Sequence, residues 1–409
     1  MKFCIALLIL VFAAPGLAQG PPAAQKPLDK DQIMSLVTAG MDNDDLAKRI
    51  QDRGIDFDVT DDYLQALRKA GAQDVVIKAL RATAKPAPLS KEQVLKLVAA
   101  GVASQRAATL VKQRGIDFLP DEKYLETLRV AGGDEALVAA VRAAGPASGD
   151  VRINPKDGLK YVWIPPGTFV MGCSLGDSEC NDAEKPSHQV TISKGFWMGQ
   201  TEVTVGAYKR FARESGRGMP SEPELEGTSL NRGWSNQAMP IANISWNDAS
   251  AYCTWAGGRL PTEAEWECAA RAGSTEARYG PLDEIAWYAD NSGVSRIDSS
   301  GIWKDERSEY LERLRNNGNR MHEVGQKRPN GFGLFDMLGN VSEWVNEGEW
   351  KYEGSPERDP RALDGGMRVL RGGGYNSTPT SLRVSGRGWM NPTVAREPWG
   401  FRCSREVLP

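Results

Sequence analysis

The sequence predicts an α+β protein in which an all-α module, built from a duplicated segment, precedes a loop-rich α+β domain. Residues 28–84 align without a gap on residues 89–145, at an offset of 61 (89 − 28). About 22 of 57 aligned positions are identical, which indicates an internal repeat. All 12 Trp lie between Trp163 and Trp399. This change in composition, with many Gly and Pro in short elements over residues 155–406, is typical of a compact domain with little regular sheet.

The overall composition is that of a globular protein, and it excludes several classes of function. Among the 409 residues, Lys and Arg number 50 and Asp and Glu number 53, so the formal charge is 50 − 53 = −3. This balance supplies no basic field, and we expect no nucleic-acid partner. The two His residues, His188 and His322, are too few for a three-His metal centre.

Residues 1–18 have the pattern of a secretory signal peptide. Lys2 precedes an apolar run, Cys4–Ala14, which Pro15 ends. The run is too short to span a bilayer, and the alternative is an uncleaved membrane anchor. Residues 19–27, rich in Pro and Ala, are typical of a flexible leader. We therefore expect a periplasmic or secreted protein with no membrane span.

Each copy of the repeat, residues 28–84 and 89–145, predicts three or four short helices. Apolar residues recur at helical spacing, and Gly residues stand where helices should end. Ser90 and Gln93 form a capping box at the start of the second copy. Neither copy contains Cys, His or a Gly-rich phosphate loop, so the charged residues are most simply a solvated face. The alternative is a module for protein contacts. Residues 146–154 are predicted to link the second repeat to the α+β domain.

Short strands and helices alternate within residues 155–406. Tyr161–Ile164 and His188–Ile192 have strand character. Asp248–Ala256 and Thr262–Arg271 have helical character, and the second of them opens on a capping box. No Ser-His-Asp order, P-loop or dinucleotide fingerprint occurs, which excludes the commonest hydrolase, NTPase and dinucleotide sites.

Five Cys remain once Cys4 is assigned to the signal peptide, and an exported protein should pair most of them. Cys173 and Cys180 flank a short polar turn, which suits a local bridge. An odd number leaves at least one thiol over. Spacing alone does not give the connectivity.

Nine short motifs follow one another along the second domain. They are Trp163-Ile-Pro-Pro-Gly-Thr-Phe-Val-Met-Gly172, Glu184-Lys-Pro-Ser-His188, Gln200-Thr-Glu-Val-Thr204, Ile244-Ser-Trp-Asn-Asp-Ala249, Arg259-Leu-Pro-Thr-Glu-Ala-Glu-Trp-Glu267, Pro329-Asn-Gly-Phe-Gly-Leu334, Gly339-Asn-Val-Ser-Glu-Trp344, Arg371-Gly-Gly-Gly-Tyr375 and Gly400-Phe-Arg-Cys403. In this order they resemble the motifs of the formylglycine-generating enzyme family, also called the sulfatase-modifying factor domain. The resemblance implies an irregular, C-type-lectin-like fold.

The resemblance also implies an oxidase that converts a cysteine to formylglycine with copper and oxygen. The family's two copper-binding cysteines fall at Ser377 and Leu382 of this sequence, and Gly374 replaces the Ser of the preceding motif. A Cu(I) site needs soft thiolate ligands, which a hydroxyl and an isobutyl group do not supply. We therefore expect no copper centre of the family's kind.

Calcium is the cofactor that the resemblance does favour, in a structural role. The Gly-Asn-Val-x-Glu-Trp motif implies a site made by Asn340, the backbone of Val341, and Glu343, whose oxygens suit Ca²⁺. A second implied site begins at Asn291 and Ser292. The alternative for Asn340 and Glu343 is a turn held by side-chain hydrogen bonds.

A second disulfide is implied by the resemblance alone. Family members that have Cys at the positions of Cys253 and Cys403 pair them. Cys268 is then the remaining thiol, and we interpret it as a buried structural Cys rather than a reactive one.

Four residues are expected to border the family's pocket: Ser377, Arg383, Trp389 and Trp399. The arginines of this C-terminal segment form either surface ion pairs or a basic groove. The first functional hypothesis is a non-catalytic member that binds a polypeptide or a glycan in this pocket. The alternative is a divergent oxidoreductase of the same family, acting on protein cysteines or using other metal- and oxygen-dependent chemistry.

Overall fold

A computed structural model describes residues 27–406, except residues 56, 58, 60, 84–87, 117, 119, 121 and 362–365. The predicted signal peptide and nearly all of the leader lie outside this part of the chain. Two compact units are found, Met1–Pro88 and Leu89–Pro409. The second repeat therefore shares a unit with the α+β domain. Arg152 Nη2, on the first strand of that domain, donates to Ile116 O of the repeat at 3.0 Å.

The first repeat contains four helices: α1 (Lys30–Thr38), α2 (Asn43–Arg53), α3 (Asp61–Lys69) and α4 (Asp74–Thr83). Asp29 and Gln32 form a capping box at the start of α1. Leu28 bridges Ile55 in parallel and so closes the repeat on itself. Apolar residues of α1, α2 and α4 fill one small core, as the helical spacing predicts.

The second repeat has the same four-helix design: α5 (Lys91–Ala99), α6 (Ser104–Arg114), α7 (Glu122–Val130) and α8 (Glu135–Ala143). The predicted capping box of Ser90 and Gln93 is present. Leu89 bridges Ile116, at the positions equivalent to the bridge in the first repeat. Each repeat therefore builds its own hydrophobic core.

The α+β domain contains short elements joined by long loops. Its helices are α9 (Val205–Ser215), α10 (Trp246–Trp255), α11 (Glu263–Arg271), α12 (Leu282–Ile285), α13 (Ser299–Asp305) and α14 (Tyr310–Asn316). Its strands are β1 (Val151–Ile153), β2 (Lys160–Ile164), β3 (Gly167–Met171), β4 (His188–Ile192), β5 (Phe196–Gly199), β6 (Glu224–Leu225), β7 (Thr228–Ser229), β8 (Ser342–Gly348), β9 (Glu357–Arg358), β10 (Arg368–Arg371), β11 (Arg387–Met390), β12 (Trp399–Gly400) and β13 (Ser404–Arg405). The predicted strands and helices are confirmed to within two residues at each end.

Several small sheets replace one large sheet. The strand orders are β1-β2-β5-β13, β11-β10-β8-β12, β3-β4-β9 and β6-β7. Most neighbours are antiparallel, but β12 runs parallel to β8 and β9 runs parallel to β4. The loop-rich α+β fold class is confirmed. No helix in the described residues is long and apolar enough to cross a membrane.

Two aromatic-rich cores lie in the α+β domain. One surrounds Trp163, Tyr252 and Trp344, and the other surrounds Trp266 and Leu382. Buried ion pairs lie beside these cores. Arg371 of β10 pairs with the carboxylates of Glu263 and Glu267 of α11, and its guanidinium lies over the ring of Trp266.

Candidate functional site

The two positions that the resemblance assigned to copper cysteines meet at Gly373. This residue follows β10 with φ of +70°, a conformation that glycine adopts without strain. A Cβ placed on Gly373 would lie 2.7 Å from Leu382 Cδ2 and 3.2 Å from Ser377 Oγ. The fold therefore keeps the two side chains together, although their chemistry differs from that of the family's oxidases.

Neither side chain at this meeting point can bind copper. Leu382 is fully buried in an apolar core, and Ser377 Oγ accepts a hydrogen bond from Gly374 N at 3.0 Å. A Cβ on Gly374 would lie 2.5 Å from Pro398 Cγ, so the proline ring fills the space of the serine that the motif lacks. The residues present do not fit a Cu(I) centre.

Arg383 was expected at the pocket, but its side chain is buried and ion-paired. It bonds both carboxylate oxygens of Glu184, and its Nη1 also donates to Asp177 Oδ2 at 3.2 Å. Burial raises the pKa of Glu184, but the hydrogen bonds and charge of Arg383 outweigh it and hold that pKa below its ordinary value. The guanidinium of Arg383 therefore anchors the loop of residues 173–184.

The two tryptophans of the expected pocket lie in different environments. Trp399, in β12, is 7% exposed and packs edge-to-face on Trp344 with centroids 5.4 Å apart. Trp389, in β11, is half-buried and pairs with Val369. Of the four expected residues, Ser377 and Trp389 keep partial exposure, while the other two are structural.

A polar cavity of about 540 Å³ adjoins the Ser377 segment. Its wall includes Glu397, whose Oε1 accepts hydrogen bonds from Tyr375 Oη and from Asn376 Nδ2. Tyr375 and Asn376 immediately precede Ser377. The cavity is lined by Ser221, Glu222, Glu224, Leu225, Glu226, Asn243, Leu311, Ala395, Arg396 and Glu397.

The charge of this cavity is negative. Four glutamates face one arginine, Arg396. Glu222 is held by Gly233 N and Ser229 Oγ, at 2.8 and 3.1 Å, whereas Glu224 and Glu226 are exposed. Burial raises the pKa of Glu397. This excess of carboxylates favours a cationic group in the cavity.

Sequence reasoning missed this acidic cavity. Its glutamates lie outside the nine motifs, and the fold brings them together from residues 221–243 and 395–397 with one side chain of α14. The alternation of Glu222, Glu224 and Glu226 was the available signal, because alternate residues of an extended segment share one face.

The oxygens expected to bind calcium are already used by the protein. Asn340 Oδ1 accepts from His322 N at 2.9 Å, and its Nδ2 donates to His322 O at 3.2 Å. The carboxylate of Glu343 accepts from Arg402 Nη2 at 2.6 Å and from Trp266 Nε1 at 2.8 Å. Because a guanidinium neutralises this carboxylate, the set does not fit Ca²⁺. The arrangement matches the alternative, a turn held by side chains.

The second expected calcium position is similarly occupied by protein contacts. Asn291 Oδ1 accepts from Tyr288 N at 2.9 Å, and Ser292 Oγ donates to Tyr375 O at 2.8 Å. Across the described ranges, no group of three or more His, Cys, Asp or Glu is placed to hold a metal ion.

Both expected disulfides are present. Cys173 pairs with Cys180, and Cys253 pairs with Cys403, which joins α10 to the C-terminal segment. Cys268 carries the free thiol of the described chain. Burial, with the charge of Glu267, raises the pKa of Cys268 to about 12, so the thiol stays protonated and weakly nucleophilic at neutral pH.

Comparison with known proteins agrees with the motifs and with the fold. Residues 147–407 match the model of the sulfatase-modifying factor enzyme 1-like domain. The chain is 31% identical to a formylglycine-generating enzyme of Streptomyces coelicolor over 313 residues, covering 66% of this chain and 95% of the relative. It is 28% identical to an inactive C-alpha-formylglycine-generating enzyme 2 of Mus musculus over 287 residues, 59% of this chain and 84% of that one.

A solved structure shares the architecture. PvdO from Pseudomonas aeruginosa superposes with a TM-score of 0.53 at 25% identity, covering 64% of this chain and 100% of that one. Residues 147–407, which match the family model, contain all nine motifs, the meeting point at Gly373 and both disulfides. The chain therefore belongs to the sulfatase-modifying factor enzyme 1-like family.

Proposed function

We propose that this protein is an exported, non-catalytic member of its family that binds a polypeptide or a glycan. The observation that carries the proposal is the chemistry of Ser377 and Leu382, the residues at the positions of the family's two copper cysteines. They still meet at Gly373, but one is a hydroxyl and the other is a fully buried aliphatic side chain. Pro398 fills the adjacent space. The two positions therefore offer no pair of thiolates to a Cu(I) ion.

The acidic cavity beside Ser377 favours a polypeptide with a basic side chain. Glu224 and Glu226 are exposed on its wall, and Glu397 joins the cavity to the Tyr375–Ser377 segment. A lysine or arginine side chain that entered the cavity would meet four carboxylates and one guanidinium, that of Arg396, so it could form charge-assisted hydrogen bonds with the glutamates. The inactive mouse relative is compatible with a role without oxidation.

The two disulfides support export, since such bonds persist in oxidising compartments. We expect a periplasmic or secreted mature protein that begins near residue 19. N-terminal sequencing of the protein recovered from outside the cytoplasm tests this start. A mature chain that still begins at Met1 in the membrane fraction would contradict it.

The test of the function pairs metal analysis with oxygen uptake. The mature protein is loaded with Cu(I), analysed for copper and iron by mass spectrometry, and assayed for oxygen consumption on a Cys-x-Pro-x-Arg peptide. We expect neither a stoichiometric redox metal nor oxygen uptake. Stoichiometric metal with peptide-dependent uptake would establish the divergent oxidoreductase instead.

The binding site is tested with a pair of charge variants. Calorimetry with an Arg- and Lys-rich decapeptide should show weaker binding to Glu224→Gln/Glu226→Gln than to the wild-type protein. The control is Glu353→Gln, an exposed glutamate away from the cavity. Equal loss in the control would show that overall charge, rather than the cavity, governs binding.

A further inference from the structure

A groove lies along the outer face of α10, apart from the acidic cavity. Its volume is about 500 Å³. Trp246 and Trp255, the first and last residues of α10, both line it. They are about 13.5 Å apart along the helix axis and, at 3.6 residues per turn, lie on opposite flanks of the groove. Small polar side chains lie between them, contributed by Asn247, Ser250 and Thr254. The groove thus combines two flat aromatic groups with a row of hydroxyl and amide groups.

Both indole rings are fixed in place. Trp246 Nε1 donates to Val345 O at 2.7 Å, and Trp255 Nε1 donates to Glu214 Oε2 at 3.2 Å. Trp255 also packs on Phe211 and Tyr252, with ring centroids 5.4 Å apart in each case. Lys156 Nζ lies over the Trp255 ring at 4.8 Å from its centroid, and the Arg368 guanidinium lies over the Trp246 ring at 4.6 Å. Neither cation lines the groove, so a ligand would stack on the opposite face of each ring. Rings that are held in advance lose little conformational entropy when a ligand stacks on them.

A second cavity, of about 440 Å³, meets the groove at Arg217, which lines both. The second cavity is basic. Lys209 and Arg213 project into it from one face of α9, at i and i+4. Lys209 Nζ donates to Trp234 O at 2.8 Å, and within the described chain neither cation makes an ion pair with a carboxylate. The neighbouring acids are neutralised, since Asp248 pairs with Arg217 at 3.0 Å and Glu214 pairs with Lys156.

We propose that the groove and the basic cavity together bind an acidic oligosaccharide. The apolar C–H face of a sugar ring suits a flat indole, and its hydroxyls suit the hydroxyl and amide row between the two rings. An acidic substituent on the sugar would reach Lys209 and Arg213. Arg217, oriented by Asp248, keeps further N–H donors for the sugar or its acid group.

The geometry favours a saccharide over an acidic peptide. The groove is lined by residues of helices α9 and α10 and of the turn that follows α9, and the backbone groups within those helices are already hydrogen-bonded. It therefore offers no strand edge to which an extended peptide could add. Two separate indoles also give no continuous apolar strip for an amphipathic helix.

Binding is measured by calorimetry with oligomers of galacturonate, alginate, hyaluronate and chondroitin sulfate, with neutral maltohexaose for comparison. We expect at least one acidic oligomer to bind and maltohexaose to bind more weakly. Affinity for the acidic oligomer should fall as salt is added, because its charge is screened. Binding to none of the acidic oligomers would overturn the proposal.

Variants locate the site. Lys209→Gln/Arg213→Gln should lose roughly tenfold or more in affinity, since two charge-assisted contacts are removed. Lys304→Gln/Arg320→Gln, which removes one exposed lysine and one exposed arginine outside the groove and the basic cavity, is the matched control and should bind as the wild-type protein does. Ser250→Glu should repel the ligand from the groove, whereas Ser250→Gln should not, which separates charge from size.

The remaining outcomes decide the ligand class. Trp255→Leu removes the flat ring and should weaken the acidic saccharide; if it unfolds, the Ser250 pair still tests the groove. Equal affinity of all variants would show that the ligand binds elsewhere. A poly-glutamate peptide that binds as tightly as the saccharide, and that loses affinity in the same variants, would overturn the saccharide in favour of an acidic peptide. The acidic cavity tested above is a separate site, so either result leaves the other standing.

Discussion

One buried carboxyl, that of Glu347, is expected to make the stability of this protein depend on pH. Glu347, in β8, is 1% exposed, and its Oε2 accepts from Glu263 N at 2.5 Å. Its Oε1 has no hydrogen-bond partner among the described residues. Burial, together with the charges of Glu263 and Glu265, raises the pKa of Glu347 to about 8 from 4.5. At neutral pH the folded protein holds this carboxyl mostly as the neutral acid.

Glu347→Gln should remove this source of pH dependence. Because the folded pKa is raised, the native state binds the proton more tightly, and stability is lost as pH rises from about 4.5 to about 8. Relative to wild type, the free energy of unfolding of the variant should rise across that window, by up to about 5 kcal/mol. Urea unfolding of both proteins from acid to alkaline pH measures the difference, and parallel profiles would contradict the assignment.

At the scale of single residues, the sequence predicted where the site residues lie in the chain, but it did not predict which side chains they contact. The family resemblance implies that Ser377 and Leu382 take the places of the two copper cysteines, and the structure brings these two side chains together at Gly373. The burial of Arg383 was not predictable, because its partner Glu184 lies about 200 residues earlier and only the fold joins them. Local patterns carry no information about a pairing of that range.

Among the elements, the two disulfides differ in the length of chain that they close. Cys253–Cys403 closes 150 residues and Cys173–Cys180 closes 7. On the chain-entropy account, the long closure stabilises by about 5 kcal/mol and the short one by about 2 kcal/mol. We expect Cys253→Ala/Cys403→Ala to lower the melting temperature more than Cys173→Ala/Cys180→Ala does. The reverse order in calorimetry would show that the anchored loop of residues 173–184 matters more than the long closure.

The stability of the segment Asn340–Glu343, which leads into β8, should not depend on calcium. Its Asn340 and Glu343 oxygens are bonded to His322, Arg402 and Trp266. A cation that binds only the folded state would raise the melting temperature, so excess calcium and excess EGTA should give the same value. A higher melting temperature in calcium, reversed by EGTA, would mean that a calcium site exists elsewhere or that Arg402 can be displaced.

Elements were predicted well wherever their signal was local. The helical repeats, the capping boxes of α5 and α11, and strands β2 and β4 all follow from short-range patterns. The sheet order was not predictable, since β8 pairs in parallel with a strand of two residues from the chain's end. The acidic cavity depends on the same long-range assembly.

For the molecule as a whole, the division into units predicts independent folding. Repeat 1 has its own core, and the unit Leu89–Pro409 contains the second repeat with the α+β domain. Deletion of residues 28–88 should therefore leave the thermal transition of the remaining chain unchanged. The full-length protein without the deletion is the control. A large fall in that transition temperature would show that the first repeat stabilises the rest of the chain.

The packing around Gly373 also constrains how such a sequence can change by mutation. Gly374→Ser alone would collide with Pro398, Leu382→Cys alone would leave a hole in the core, and Ser377→Cys alone would give one thiolate without its partner. Each step toward an oxidase is harmful or useless by itself, and only their combination could be selected. A pair of thiolates at these positions would therefore require all three substitutions together with a rearrangement of Pro398.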